Sequence, residues 1–221
     1  MCRFFRILSL LALLPACGIA ADETRDAGAA LLAKLRGQRA QFPAMTAEFT
    51  EERTTRLLNK PLLSAGTIAF HAPNKFRREM QGTSPSLTVC NGSELWIYYP
   101  NFKEAEHYTL GQRQFFDDSL AALTAGLNFQ EVDRFFRVSP SRDGDGFRIS
   151  LTPKSSGLRR FVTSLTVRLN ADGIIESSEA LLPKGDRVVT TYRNVRSAKK
   201  SDTSFDFKPP AEAHISTPLG K

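Results

Sequence analysis

The feature that most constrains the fold is a succession of short β-prone segments separated by turn residues. The segment 86–99, SLTVCNGSELWIYY, carries Asn91-Gly92 between two β-prone runs, a pair typical of type I′ hairpins. Residues 135–153 contain Asp-Gly pairs at 143–146, and Ala171-Asp172-Gly173 separates two further runs. Alternation also marks residues 45–52, 66–72, 75–80, 187–195 and the final segment 204–207. This spacing predicts a mainly β protein built on a large, curled antiparallel sheet.

Two segments have helical periodicity instead. Residues 24–41 place Leu31, Leu32 and Leu35 on one apolar stripe, which predicts an amphipathic helix. Residues 114–129, QFFDDSLAALTAGLNF, interrupt the strands, and Asp117 or Asp118 can cap a helix there. Its large apolar residues recur at intervals of three and four on one face: Phe116, Leu120, Leu123 and Leu127.

The N-terminus has the pattern of a secretory signal peptide. Arg3 and Arg6 precede the apolar run Ile7–Leu14, which is far shorter than the ~20 residues that span a bilayer. Small residues follow, so we expect a signal peptide over 1–21 and a single, exported mature domain over 22–221. Cleavage after Ala20 or Ala21 is favoured, and lipidation at Cys17 is the alternative.

Composition and motifs argue against several functional classes. The 30 basic residues are dispersed among 23 acidic ones, which is typical of a solvated surface rather than of a nucleic-acid site. Cys90 is the one cysteine beyond the leader and cannot form an internal disulfide. The three histidines lack metal-ligand spacing, and no nucleophile elbow or phosphate loop is present. We therefore expect no catalytic residue, no metal and no cofactor.

The aromatic content raises a question about the inside of the sheet. The chain contains 16 phenylalanines, one tryptophan and four tyrosines. A curled sheet has a concave face that must be filled or covered. Composition leaves two possibilities open: an ordinary core, or an apolar cavity that binds a ligand.

Several stretches taken in order resemble the LolA family of outer-membrane lipoprotein carrier proteins. They are AGTIAFHAPNKFRREM, SLTVCNGSELWIYYPNFKEAEHYTL, FRISLTPKSSGLRRFVTSLTVRLNADGIIESSEAL and FDFKPP. The resemblance implies an incomplete, half-open antiparallel β-barrel with a helical lid over a hydrophobic cavity. It also implies a monomeric periplasmic carrier that takes acylated lipoproteins from an inner-membrane ABC-type transporter and passes them to an outer-membrane acceptor.

The same resemblance suggests which residues form the cavity and lid. Phe76 falls in the family's Pro-Asn-x-Phe motif, and Trp96 and Tyr98 fall in its Leu-Trp-x-Tyr strand. Which alternating set of residues 95–98 faces inward is left open. The full set of expected ligand-binding residues is Leu32, Leu35, Phe49, Ile68, Phe70, Phe76, Arg78, Met80, Trp96, Tyr98, Phe116, Leu120, Leu123 and Leu127.

Two positions depart from the family pattern. Ala72 stands where the family has an arginine that holds the lid, and Arg78 stands where an aromatic residue is common. Arg78 shares a predicted face with Phe76 and Met80, and a charge there is costly unless it is paired. Either Arg78 is solvated at an exposed strand end, or it replaces the lid contact or pairs with an anionic head group.

These departures keep other cargoes and roles open. A carrier of a non-protein envelope lipid is one alternative, and an outer-membrane-tethered acceptor of the same fold is another. A different class is an envelope-stress regulator that binds a membrane-anchored protein.

Overall fold

The protein is represented by a computed structural model that describes residues 19–41, 43–111, 127, 132–199 and 203–218. The strands in these residues are β1 (Ala44–Thr54), β2 (Leu62–His71), β3 (Lys75–Gln81), β4 (Ser86–Cys90), β5 (Glu94–Tyr99), β6 (Glu104–Thr109), β7 (Phe136–Asp143), β8 (Gly146–Pro153), β9 (Ser164–Leu169), β10 (Ile175–Leu181), β11 (Arg187–Ser197) and β12 (His214–Ser216). The helices in these residues are α1 (Ile19–Ala40), α2 (Val132–Phe135) and α3 (Ser156–Arg159).

All twelve strands belong to one sheet, in the order β12-β6-β5-β4-β3-β2-β1-β11-β10-β9-β8-β7. Sequential hairpins build each half, and the antiparallel pairing of β1 with β11 joins the halves. The short β12 pairs with β6 in parallel. In the described part of the chain β12 and β7 remain the two edges, so the sheet is not closed into a barrel. The predicted mainly β, half-open architecture is confirmed.

The register separates the sheet into two chemically different faces. Along β1, Met45, Ala47 and Phe49 are buried, whereas Glu48 and Thr50, at alternating positions, are exposed. The buried set pairs laterally with buried residues of β2, as Met45 does with Phe70. Because side chains alternate along a strand, the pairing defines an apolar inner face and a mainly polar outer face.

Helix α1 packs on β7 and covers part of the inner face. It begins at Ile19 rather than at the predicted Thr24, because residues 19–24 contain no proline or glycine to stop it. Leu35 is buried, as its place on the apolar stripe predicts. In the short α3, the Ser155 hydroxyl caps the helix by accepting a hydrogen bond from the Leu158 backbone N–H at 3.0 Å.

Two local predictions are corrected. The β4–β5 hairpin forms, but Gly92-Ser93 is the central pair, not Asn91-Gly92. Gly92 has a φ of 102°, the position glycine takes in type II′ turns, while the Asn91 side chain accepts backbone N–H groups of Ser93 and Glu94. The segment 204–207 forms no strand, because its aromatic side chains pack on the sheet while its backbone does not join the ladder.

Neither a membrane-spanning helix nor a metal cluster is found in the described ranges. No helix there is long and apolar enough to cross a bilayer. No group of three or more His, Cys, Asp or Glu side chains there is arranged to hold a metal ion.

Candidate functional site: the apolar inner face

A continuous row of apolar side chains crosses the first half of the inner face. Phe76 on β3 lies between Cys90 on β4 and Phe70 on β2, and Phe70 is in turn paired with Met45 on β1. All four are at most 5% exposed. Successive inward positions on adjacent strands therefore form one apolar surface, which extends across β11 to the second half of the sheet.

The structure brings most of the described candidate residues to this surface. Six candidates occupy inward positions on β1–β3: Phe49, Ile68, Phe70, Phe76, Arg78 and Met80. Leu35 and Leu127 belong to the same apolar cluster, whereas Leu32 is only partly buried. Phe116, Leu120 and Leu123 lie outside the described residues.

The structure places Trp96 and Tyr98 on the outer face. It therefore shows which alternate set of residues 95–98 points inward, a question that the sequence left open. Leu95 is paired with the inward Cys90, and Ile97 is paired with Thr88, so these two point inward. Trp96 stacks on His107 with ring centroids 4.2 Å apart and also contacts Phe207 at 6.1 Å. Their assignment to the cavity is corrected: the C-terminal segment covers them, and Leu95 and Ile97 take the inward positions.

Arg78 forms an ion pair on the inner face. Its Nη2 lies 2.6 Å from Oε2 of Glu51, and its guanidinium sits 4.3 Å from the centroid of the Phe49 ring. Thr190 Oγ1 donates to the same carboxylate oxygen at 3.3 Å. The two charged side chains are only 15% and 19% exposed, so the interpretation of Arg78 as a solvated strand end is wrong.

The surroundings of the pair are polar but enclosed. Tyr192 on β11 faces inward opposite Phe49, and burial raises the pKa of its phenol above the ordinary value. A side-chain hydrogen bond to Ser178 on the neighbouring β10 opposes that rise. One end of the inner face therefore carries a cluster of polar side chains next to apolar ones.

The other end of the inner face contains a small cavity beside the end of α1. Its volume is about 90 Å³, and Arg39, Met45, Leu127 and Val195 are among the residues that line it. For comparison, an apolar cavity of about 150 Å³ holds one benzene molecule. An acyl chain therefore needs more room than this cavity offers, and groups that now cover the inner face must move to admit one.

Arg39 makes a polar link between α1 and the segment that contains Leu127. Its Nε donates to the Leu127 backbone oxygen at 3.1 Å, and its guanidinium lies 5.6 Å from the Phe70 ring centroid. Burial lowers the pKa of Arg39 to about 10. In the described residues this link, rather than Arg78, provides the helix contact that the sequence suggested Arg78 could supply.

Sequence reasoning missed the second half of the inner face and the partner of Arg78. The inward residues there are Phe136, Phe147, Ile149, Leu151, Leu165 and Val167. The alternation in FRISL could have identified several of them. Glu51, two residues after Phe49, could have been found by the same period-two rule.

The fold and the site define a mainly β protein whose unclosed, almost entirely antiparallel sheet has an apolar inner face that a helix partly covers. The family model described as outer membrane lipoprotein carrier protein LolA matches residues 40–208. The chain therefore belongs to the LolA family.

Sequence relatives agree with this assignment, and a solved structure shares the fold. An outer-membrane lipoprotein carrier protein of Dechloromonas aromatica is 28% identical over 176 residues, covering 77% of this chain and 80% of the relative. Its counterpart in Azotobacter vinelandii is 25% identical and covers 94% and 96%. A crystal structure of an uncharacterized conserved protein from Thermus thermophilus aligns with a TM-score of 0.50 at 13% identity, over 86% of this chain and 98% of the other. That likeness concerns the fold.

Proposed function

We propose that this protein is an exported, non-enzymatic carrier that holds the acyl chains of a lipoprotein against its inner face. It would receive them from an inner-membrane ABC-type transporter and deliver them to an outer-membrane acceptor across the periplasm. Family membership and the names of the relatives support this role. The observation that carries the proposal is the continuous apolar inner face of a sheet that is not closed.

The small volume of the described cavity suits a carrier that must release its cargo. Burying one CH₂ group contributes about 0.8 kcal/mol, so a few acyl chains in an empty pocket would bind almost irreversibly. Here α1 and Leu127 already contact the inner face, so ligand must replace protein contacts. The net binding free energy is then the difference between the apolar contacts that the ligand makes and the protein contacts that it displaces. This small difference permits release and transfer.

The Glu51–Arg78 pair favours a second candidate, a carrier of a non-protein envelope lipid. Acyl chains need no charged partner, yet this pair occupies an inward position. A lipid with a polar or anionic head group could exchange contacts with Arg78 while its chains occupy the apolar row. Both candidates are binding functions without bond chemistry.

A pair of adjacent probes on β5 tests the binding surface directly. A photoactivatable phenylalanine analogue replaces Ile97, which points inward, or Tyr98, which points outward. We expect irradiation in the periplasm to crosslink an acylated lipoprotein at 97 and not at 98. Equal crosslinking at both positions, or none at either, would contradict the use of the inner face.

Mass spectrometry of material purified with the unmodified protein distinguishes the cargo. A triacylated lipoprotein supports the first candidate, and a glycolipid or other free lipid supports the second. An empty protein that instead retains a membrane-anchored protein would indicate the regulatory class. The intact mass of the mature N-terminus shows whether cleavage follows Ala20 or Ala21, giving a free shuttle, or whether Cys17 is lipidated, giving a tethered acceptor.

A further inference from the structure

The exposed large apolar side chains gather at one end of the sheet. Among the described residues eight such side chains are exposed, and six lie in or beside three turns at this end. Leu57 is 91% exposed, Leu63 78% and Phe102 71%. We call this surface the leucine-rich end, and it consists of Leu57, Leu58, Leu62, Leu63, Phe102 and Leu181.

The topology places these turns on the same side. Strands β1, β5 and β10 run in the same direction, because each is separated from the next by an odd number of antiparallel neighbours. The β1–β2, β5–β6 and β10–β11 turns therefore leave the sheet at one end. Ile174, also exposed, lies at the opposite end, before β10 begins.

The same turns carry an excess of positive charge. Arg56, Lys60, Lys103 and Lys184 are all exposed, and none of them forms a salt bridge within the described ranges. The one acid in turn residues 55–61, 100–103 and 182–186 is Asp186, which is held by Arg53 at 2.8 Å. The β8–β9 connection at this end, residues 154–163, adds three exposed basic side chains and no acid.

We propose that the leucine-rich end docks on an anionic bilayer surface. Apolar residues on projecting turns, interspersed with lysine and arginine, can enter the interfacial region while the basic groups meet lipid phosphates. Leu57 and Leu58 lie in the β1–β2 connection and Phe102 lies in the β5–β6 connection, and both connections also carry exposed basic side chains, a combination that suits an anionic bilayer surface. This contact involves the protein's own surface and does not depend on which cargo it carries.

The docking end adjoins the polar end of the inner face. Leu62 is paired with Arg53, and two residues further along β2 Ser64 is paired with Glu51, the partner of Arg78. A bilayer that receives the leucine-rich end would thus lie beside the polar end of the inner face. Cargo entering or leaving there would cross little water.

Vesicle flotation of the purified protein provides the test, and Cys17→Ser is introduced before export so that no acyl chain can be attached there. Vesicles contain phosphatidylethanolamine with phosphatidylglycerol, or phosphatidylcholine alone. We expect binding to the anionic vesicles that weakens with added salt. The double variant Leu57→Ser/Leu63→Ser should weaken binding by at least about tenfold, because two exposed leucines no longer enter the interface. Arg56→Gln/Lys60→Gln should weaken it by about fivefold or more.

Ile174→Ser is the matched control, since it removes an exposed apolar side chain from the other end and should leave binding within about twofold. Leu57 and Leu63 are 91% and 78% exposed, and Arg56 and Lys60 are exposed, so thermal unfolding of their variants should be unchanged and a folding defect can be recognised. Absence of binding to anionic vesicles, or binding that the leucine pair does not alter, would overturn the proposal. So would leucine variants that bind vesicles normally but lose a protein partner in detergent.

Discussion

Loss of the ion pair between Arg78 and Glu51 should lower the free energy of unfolding substantially. Replacing Arg78 with methionine tests this. The substitution keeps much of the side-chain volume but leaves the Glu51 carboxylate with Thr190 as its remaining described hydrogen-bond donor. Breaking a fully buried pair costs about 3–5 kcal/mol, whereas an exposed pair contributes about 1 kcal/mol or less. With side chains 15% and 19% exposed, we expect about 2–3 kcal/mol, including the lost contact with the Phe49 ring.

A double-mutant cycle isolates the interaction between the two charges. Glu51→Met alone should also destabilise, because it leaves Arg78 unpaired in an enclosed position. The double variant Arg78→Met/Glu51→Met should recover most of the loss, since no charge remains buried. Urea unfolding of the four proteins gives a coupling free energy, for which we expect about 2 kcal/mol.

A matched control lies on the same strand. Arg77 and Glu79 form a pair at 2.7 Å on the outer face, with side chains 27% and 42% exposed. Arg77→Met should cost less than about 1 kcal/mol, because water solvates the remaining carboxylate. If the Arg78 and Glu51 effects are additive within about 0.5 kcal/mol, or if Arg77→Met is as costly as Arg78→Met, burial does not govern the pair and the reasoning is refuted.

Four further substitutions probe packing, titration and the covering of Trp96. Gly66→Ala should destabilise by more than about 2 kcal/mol in urea unfolding, because its Cβ would lie 1.8 Å from a backbone oxygen of β3; Gly37→Ala, with open space around it, should stabilise by up to about 1 kcal/mol, and equal effects would contradict this. Burial raises the pKa of the Cys90 thiol, so the unfolded chain releases this proton first and stability should fall above about pH 8.5; Cys90→Ala should flatten that fall, and an unchanged slope would refute it. Phe207→Ala should shift the emission of Trp96, the single tryptophan, to longer wavelength by uncovering it; an unchanged spectrum would show that the C-terminal segment does not shield it.

The strands could be predicted because they depend on the properties of residues that are close in sequence. Alternation along 45–52 and 75–80 follows from one buried and one solvated face, and Asp-Gly at 143–146 requires a turn. The positions of Phe49, Phe70 and Phe76 on one face follow from the same periodicity once the strands are assigned. The resemblance to the LolA family added the half-open architecture, which periodicity does not determine.

The turn at residues 91–93 could not be predicted fully from residue preferences. Asn91-Gly92 is a favoured central pair, yet the structure shifts the turn by one residue, because the Asn91 side chain accepts two backbone N–H groups of the loop. Such competition between side chain and backbone is a property of the formed loop.

By itself, the sequence determined that the chain is mainly β, that a helix precedes the strands, and that Phe76 and Arg78 share a face. Only the tertiary structure decided that Ile97 faces inward and Trp96 outward, because the face of a strand depends on its pairing with β4. It also brought Glu51 to Arg78 across β2. Contacts between residues distant in sequence arise from register and sheet order, and a period-two pattern fixes neither of them.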